Sequence, residues 1–430
     1  MTPRESSRTG RAPRRSSRRP ISSVALYGFL GNGNFGNDAS FETVLSWLQA
    51  EQPDVEVRCI TIAPDVMEAR YGVVSLPLSW YQARPGTGRL VATAGKILGR
   101  VVDVPRSLFL AGSADAVIVP GMGVFEETLG VVPWGLPLWM FLLAGSSRLR
   151  RRPFILLDVG AEPTRNRLTR RLYVATAGLA THVSYRDEWS EQAMHRAGAR
   201  APDAVAPDLV FAHSASTHAE PEPGLVAVGV MAYYGIGDDP VGGAAVRRRY
   251  VATMAGAVGR LTQIGNRVVL LGGDRVDSEV AREVQAAVRA AQPQLPPEVV
   301  AVRDPTTFAD VTDEMARAEV VVASRFHNLI CALRLARPVV SVGYAEKNAR
   351  LMEELGLGEY SQHIGDLDAD WLVTQVRRAQ AEGPAVTARL GGATRGYADQ
   401  VRSLLRRLAG ESLGLPQRGR RSGQATERTG

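Results

Sequence analysis

Twice along this chain, short apolar runs rich in β-branched residues alternate with longer segments of helical period, and this double alternation constrains the fold most. The first series comprises VALYGF (24–29), VEVRCITI (55–62), DAVIVP (115–120), PFILLDVG (153–160) and THVSYR (181–186), with a helix predicted over 39–49. The second comprises GLVAVGVM (224–231), NRVVLLGG (266–273), EVVAVRD (298–304), EVVVASR (319–325) and RPVVSVGY (337–344). Continuous apolar strands separated by helices imply parallel sheets covered on both faces. Between the series, AHSASTHAEPEPG (212–224) has no apolar period and reads as a linker. The expected class is therefore α/β, with two doubly wound Rossmann-like domains (21–211 and 225–390) facing a cleft and a C-terminal helix over 391–411. In such folds ligands sit outside the carboxyl ends of the strands, so the loops there should carry the chemistry.

At 430 residues, two cores are expected. The formal charge of +7 is a matter of tails. Residues 1–20 hold seven Arg and one Glu, and residues 412–430 hold four Arg and one Glu, which leaves the body slightly acidic. These Ser-, Gly- and Arg-rich tails have the composition of disordered segments, and the chain has no signal for specific nucleic-acid binding. The Arg-rich beginning is followed by no apolar core of a secretory signal. Cys59 and Cys331 lie in separate apolar runs and read as buried side chains, which favours a cytoplasmic protein without disulfides. The 17 uncharged residues of LGVVPWGLPLWMFLLAG (129–145) contain Pro133 and Pro137. They read as core, with a peripheral membrane contact as the alternative.

The turn GNGNFGNDAS (31–40) fits the letters G-x-G-x-x-G through Gly31, Gly33 and Gly36. As a dinucleotide site it lacks its acidic partner at the end of the second strand, since Glu56 comes too early and Asp65 too late. The turn is expected instead to bring backbone and the side chains of Asn34 and Asp38 to a ligand across the cleft. A richer loop follows EVVVAS, where Arg325-Phe326-His327 enters a helix. Lys347 follows the next strand and Arg186 ends THVSYR. Three cations and one imidazole converging on a cleft would suit a small, multiply charged anion. No metal-ligand spacing is present.

The segment 308–357 resembles the C-terminal signature of the polysaccharide pyruvyl transferase family: Arg325-Phe326-His327, then Ala336-Arg337-Pro338-Val339-Val340, then Tyr344-Ala345-Glu346-Lys347. Further likenesses are Arg186-Asp187 with Ser190 and Gly198, Pro207-Asp208-Leu209-Val210, and the opening turn, so the resemblance spans about residues 21–365. Departures are Asn37-Asp38 in place of an acidic pair, Met122 between Gly121 and Gly123 in place of a third glycine, and Phe326 in place of a Leu-like residue.

The resemblance implies a glycosyltransferase-B-like fold and transfer of pyruvyl from phosphoenolpyruvate to two hydroxyls of one sugar, on a cell-surface glycan or its lipid-linked precursor. It further implies Arg186, Arg325 and Lys347 as donor-binding residues and His327 as general acid or base, with Arg325 beside it. Gly33, Asn34, Asp38, Gly121, Gly123 and Tyr344 would line the cleft on the acceptor side, and no cofactor is needed. Two other functions remain open: a nucleotide-sugar glycosyltransferase and a non-catalytic sugar-binding relative. Glu346 and Glu354 share the spacing of a glycosyltransferase Glu pair, but they follow the ARPVV strand instead of preceding it.

Overall fold

A computed structural model describes residues 21–82, 88–126, 132–214, 219–235 and 240–416. The tail over 1–20, the tail from 417 onward and residues 129–131 of the uncharged stretch lie outside the described residues. The first sheet holds seven parallel strands: β1 (Ser23–Gly28), β2 (Glu56–Thr61), β3 (Val74–Pro77), β4 (Ala116–Pro120), β5 (Phe154–Val159), β6 (His182–Tyr185) and β7 (Ala204–Val205). Their spatial order is β3-β2-β1-β4-β5-β6-β7. The second holds β8 (Glu222–Gly229), β9 (Arg267–Leu271), β10 (Val300–Val302), β11 (Ala318–Ala323), β12 (Val339–Gly343) and β13 (Ser361–His363) in the order β10-β9-β8-β11-β12-β13.

Both sheets reverse their winding beside their first strand, and the crevice that opens at such a switch point is where open α/β sheets bind ligands. The central strands β4, β5 and β11 are buried almost throughout, as their unbroken apolar runs require when helices cover both faces. The strands absent from the sequence reading, β3, β7 and β13, are short and stand at or next to sheet edges. Too few residues face the core there to leave a pattern.

Local chemistry moves several boundaries. The helix expected over 39–49 spans Phe35–Glu51, because the Asn34 side chain accepts from the Asn37 N–H and caps it four residues earlier. The linker is anchored at its start: the His213 ring meets Glu42 Oε2 at 2.7 Å and Arg334 donates to the His213 carbonyl. Strand β8 begins at Glu222, within the span read as linker. The last helix spans Gly383–Arg407, longer toward its N-terminus than the 391–411 expected. Val386 and Leu390 on it join the second core, whereas Val401, Leu404 and Leu405 join the first. Leu413 and Leu415 are also buried there, so packed chain extends past 412, where the tail was expected to begin. This helix thus ties the domains together.

In the uncharged stretch, Leu136–Leu149 forms a helix that buries Met140, Leu143 and Ala144, the core reading of that segment. Among the described residues no helix is long and apolar enough to cross a membrane. Cys59 and Cys331 are both buried, and burial pushes the Cys59 thiol up to about 12.

Candidate active site

Residues from both domains meet where the carboxyl ends of β4, β5, β6, β11 and β12 face one another. Arg186, just past β6, is 4% exposed. It is held by Glu126, by Asp208 Oδ2 at 3.4 Å and by Asp187 Oδ2 at 3.7 Å. The preceding loop makes room for the guanidinium: a Cβ at Gly160 would lie 2.4 Å from Arg186 Nη2. From the second domain, Lys347 Nζ reaches Glu126 Oε2 at 2.8 Å and Glu162 Oε1 at 3.8 Å. One carboxylate, Glu126, is therefore clamped by a cation from each domain, and those cations hold its carboxyl down to about 2 against the opposing push of burial.

The motif residues owe their positions to capping and close packing. Asp187 caps the helix Glu188–Ala197 by accepting from Ser190 N at 2.6 Å, and Ser190 Oγ accepts from Ala161 N. Asp208 Oδ1 accepts from Val210 N, which fixes its other oxygen toward Arg186. His327 stands in the first turn of the helix Phe326–Arg334 and packs against Gly36, where a Cβ would come within 2.0 Å of Nδ1. Its Nε2 has no hydrogen-bond partner among the described residues and lies 3.9 Å from Asp208 Oδ2. Burial first, then the Arg186 and Lys347 charges, push the imidazole down to about 3, so it is neutral at physiological pH. Phe326, a departure from the family pattern, offers its ring to both cations, 4.9 Å from the Arg186 guanidinium and 5.4 Å from Lys347 Nζ. A cavity of about 580 Å³ opens beside the cluster, lined in part by Arg186, Trp189, Phe326, Lys347, Arg350 and Tyr397.

Arg186, His327 and Lys347 are thus brought together, but Arg325 is turned aside. Its Nε and Nη2 make a bidentate pair with Asp277 at 2.9 and 2.7 Å. Asp277 also accepts from Ala232 N and Gly273 N, so the pair braces the loops after β8 and β9. Nor is the cluster an unopposed set of cations, since Glu126, Asp208, Glu162 and Asp277 meet them. Tyr344 packs beneath Lys347, with Nζ 5.3 Å from its ring.

The glycine turn does not line the cavity. It joins the domains: Phe35 N donates to Gly273 O and Arg275 N to Gly33 O. Asn34 is spent on its cap. Asp38 is 1% exposed, accepts from Gly31 N at 2.8 Å and pairs with Arg70 at 3.1 Å. Gly121 packs on Ser40 and Leu209, and Gly123 lies against the Glu126 carboxylate. Met122 is buried against Gly28, and Asn37 Nδ2 donates to the Phe29 carbonyl. Burial pushes the Asp38 carboxyl up to about 6. The folded state then binds more protons than the unfolded chain between pH about 4 and 6, so this group lowers stability as pH rises through that range. In Asp38→Asn that decline should disappear from denaturant midpoints measured across the same range.

Four acidic residues escaped the sequence reading: Glu126, Glu162, Asp158 and Asp277. Asp158 carried a signal, a carboxylate in the otherwise apolar run PFILLDVG. It is fully buried with φ +58°, an unusual backbone for a residue with a side chain. Among the described residues no hydrogen bond of sound geometry reaches either of its oxygens, although the Leu209 N–H lies close. Burial and the nearby Asp208 charge push its carboxyl well up, which favours its protonated form beside the cluster. No group of three or more potential metal ligands occurs among the described residues.

The two facing domains form a glycosyltransferase-B-like fold. A putative UDP-N-acetylglucosamine 2-epimerase from Listeria monocytogenes superposes with a TM-score of 0.60 at 11% identity, covering 92% of this chain and 98% of the other. MnaA of S. aureus, in a co-structure with UDP, gives 0.59 at 10% identity over the same shares. The glycotransferase of kitacinnamycin gives 0.54 at 14% identity, over 90% and 98%. At these identities the likeness is one of fold. The family model for polysaccharide pyruvyl transferase matches residues 34–346, a span that holds Glu126, Arg186, Asp208, Arg325 and His327 and ends one residue before Lys347. With most of its length so matched, the chain belongs to the polysaccharide pyruvyl transferase family.

Proposed function

We propose that the protein transfers the pyruvyl group of phosphoenolpyruvate to two hydroxyls of one sugar in a surface glycan or its lipid-linked precursor, forming a ketal and releasing phosphate. The observation that carries this reading is the clamp of Arg186 and Lys347 on a single carboxylate, beside the unpartnered Nε2 of His327. Glu126 occupies the place that an anionic group of the donor would take. Donor phosphate or carboxylate would displace Glu126 and inherit charge-assisted hydrogen bonds from both domains.

The chemistry then needs one proton placed on carbon. A sugar hydroxyl adds to the central carbon of the enol while the methylene carbon gains a proton and becomes methyl. A second hydroxyl of the same sugar then forms its bond to that carbon as the carbon–oxygen bond to phosphate breaks, and its proton leaves with phosphate or solvent. Neutral His327 can take the first hydroxyl proton and deliver it to the methylene carbon. An incoming dianion stabilises the imidazolium and opposes the effect of Arg186 and Lys347, so donor binding itself would raise the basicity of His327. Arg325 supports this site by holding the loops through Asp277, and no cofactor takes part.

Release of inorganic phosphate from phosphoenolpyruvate in the presence of a panel of glycan acceptors tests the proposal. Acceptor-dependent phosphate release, with a mass gain on the acceptor matching a pyruvate ketal, is expected. Release of UDP from a UDP-sugar with no phosphate from phosphoenolpyruvate would replace it with the nucleotide-sugar reading.

A further inference from the structure

The helix Arg89–Ala111 in the first domain turns its apolar side outward. Gly99, Asp103, Ser107 and Leu110 form its buried face. On the opposite side Val91, Ile97, Leu98, Val101, Val104 and Phe109 are between 50% and 66% exposed. At 3.6 residues per turn these six fall within an arc of about 140° that contains no charged residue. The helix's sole carboxylate, Asp103, is withdrawn into the interior, where it accepts from Trp80 N at 2.8 Å and from Trp139 Nε1 at 3.2 Å. Trp80 is itself 51% exposed.

The rim of this stripe is basic. Arg100, about 40° outside that arc, lies 4.8 Å over the Trp139 ring, and Arg150 approaches the helix end at Gly112. An apolar stripe edged by cations, without exposed carboxylates on its own helix, complements an anionic lipid surface. It suits other occupants poorly. The Arg-rich terminal segments, with only Met1, Ala12 and Ala425 apolar besides prolines, offer too little to cover it, and a second copy of this chain would press one basic rim against another. We propose that this helix lies in the headgroup region of an anionic membrane, with the stripe inserted and the body of the first domain above it. The membrane contact is thereby assigned to 89–111 and not to the helix Leu136–Leu149 of the uncharged stretch, which is committed to the core.

Co-sedimentation of the full chain with phosphatidylcholine vesicles containing about one phosphatidylglycerol in four tests this directly. The unaltered protein should bind, and the combined Ile97→Ser, Leu98→Ser and Val101→Ser variant should partition at least about tenfold less with an unchanged circular dichroism spectrum, since all three side chains are already in water. Binding should weaken with added salt and fall on pure phosphatidylcholine. Equal binding by protein and variant would overturn the proposal and assign lipid contact to the basic terminal segments. A dimer that the same substitutions dissociate, without vesicle binding, would overturn it in favour of self-association. Neither outcome bears on phosphate release from phosphoenolpyruvate.

Discussion

His327→Ala is expected to lower acceptor-dependent phosphate release by about 10²- to 10⁴-fold, the range for loss of a positioned acid–base group. The protein should remain folded. The imidazole is 16% exposed and packs on Gly36 of the other domain, so its removal opens space between the domains and not in either core. The variant has a second signature. In the unaltered protein His327 is held below its ordinary value, so the folded state binds fewer protons than the unfolded chain between pH about 6.5 and about 3, and stability is lost as pH falls through that window. Without the ring, that contribution to acid destabilisation is absent. Turnover like that of the unaltered protein would remove His327 from the reaction. Lost turnover with an unchanged acid-unfolding profile would place the burial of the ring in doubt.

The largest stability effect is expected at Arg186. Arg186→Met leaves Glu126 and Asp208 without the guanidinium that bridges them, in a largely buried site. Removing one partner of a buried charge network costs about 3–5 kcal/mol, and the thermal midpoint should fall accordingly. Arg186→Lys should restore little, because an ammonium is a point charge and cannot serve Glu126, Asp187 and Asp208 with one planar fork. The pH dependence has a defined sign. Glu126 is held down to about 2 in the folded state, so its stabilisation is present above about pH 4.5 and is lost as pH falls through about 2. Arg186 supplies part of that depression, so the gap between protein and variant should narrow as pH is lowered from about 4.5. A gap independent of pH would mean that packing on Phe326, and not charge, is what Arg186 contributes.

Much of the architecture was legible because parallel strands covered on both faces leave unbroken apolar runs, as in DAVIVP and EVVVAS. The edge strands were not, since β7 and β13 are two and three residues long and face little core. At the site, Arg186, His327 and Lys347 could be found because each follows a readable strand, and loops at carboxyl ends converge. Glu126 could not: it lies six residues past β4 with no local pattern, and only folding sets its carboxylate between cations from two domains. Arg325 shows the reverse case. Its position marks the site, but its partner is Asp277, 48 residues earlier in the chain, and the pair faces the loops beneath the cleft.

By itself the sequence determined two doubly wound parallel domains, the end of each sheet where chemistry belongs, and the family. Those follow from periodicity and strand–loop order, which are local. The tertiary structure alone decided which charges face which. It set Glu126 between Arg186 and Lys347, spent Asn34 and Asp38 on the turn that joins the domains, and turned the apolar side of the helix Arg89–Ala111 to the outside. Pairing and exposure depend on residues far apart in the chain, and no window of sequence contains both partners.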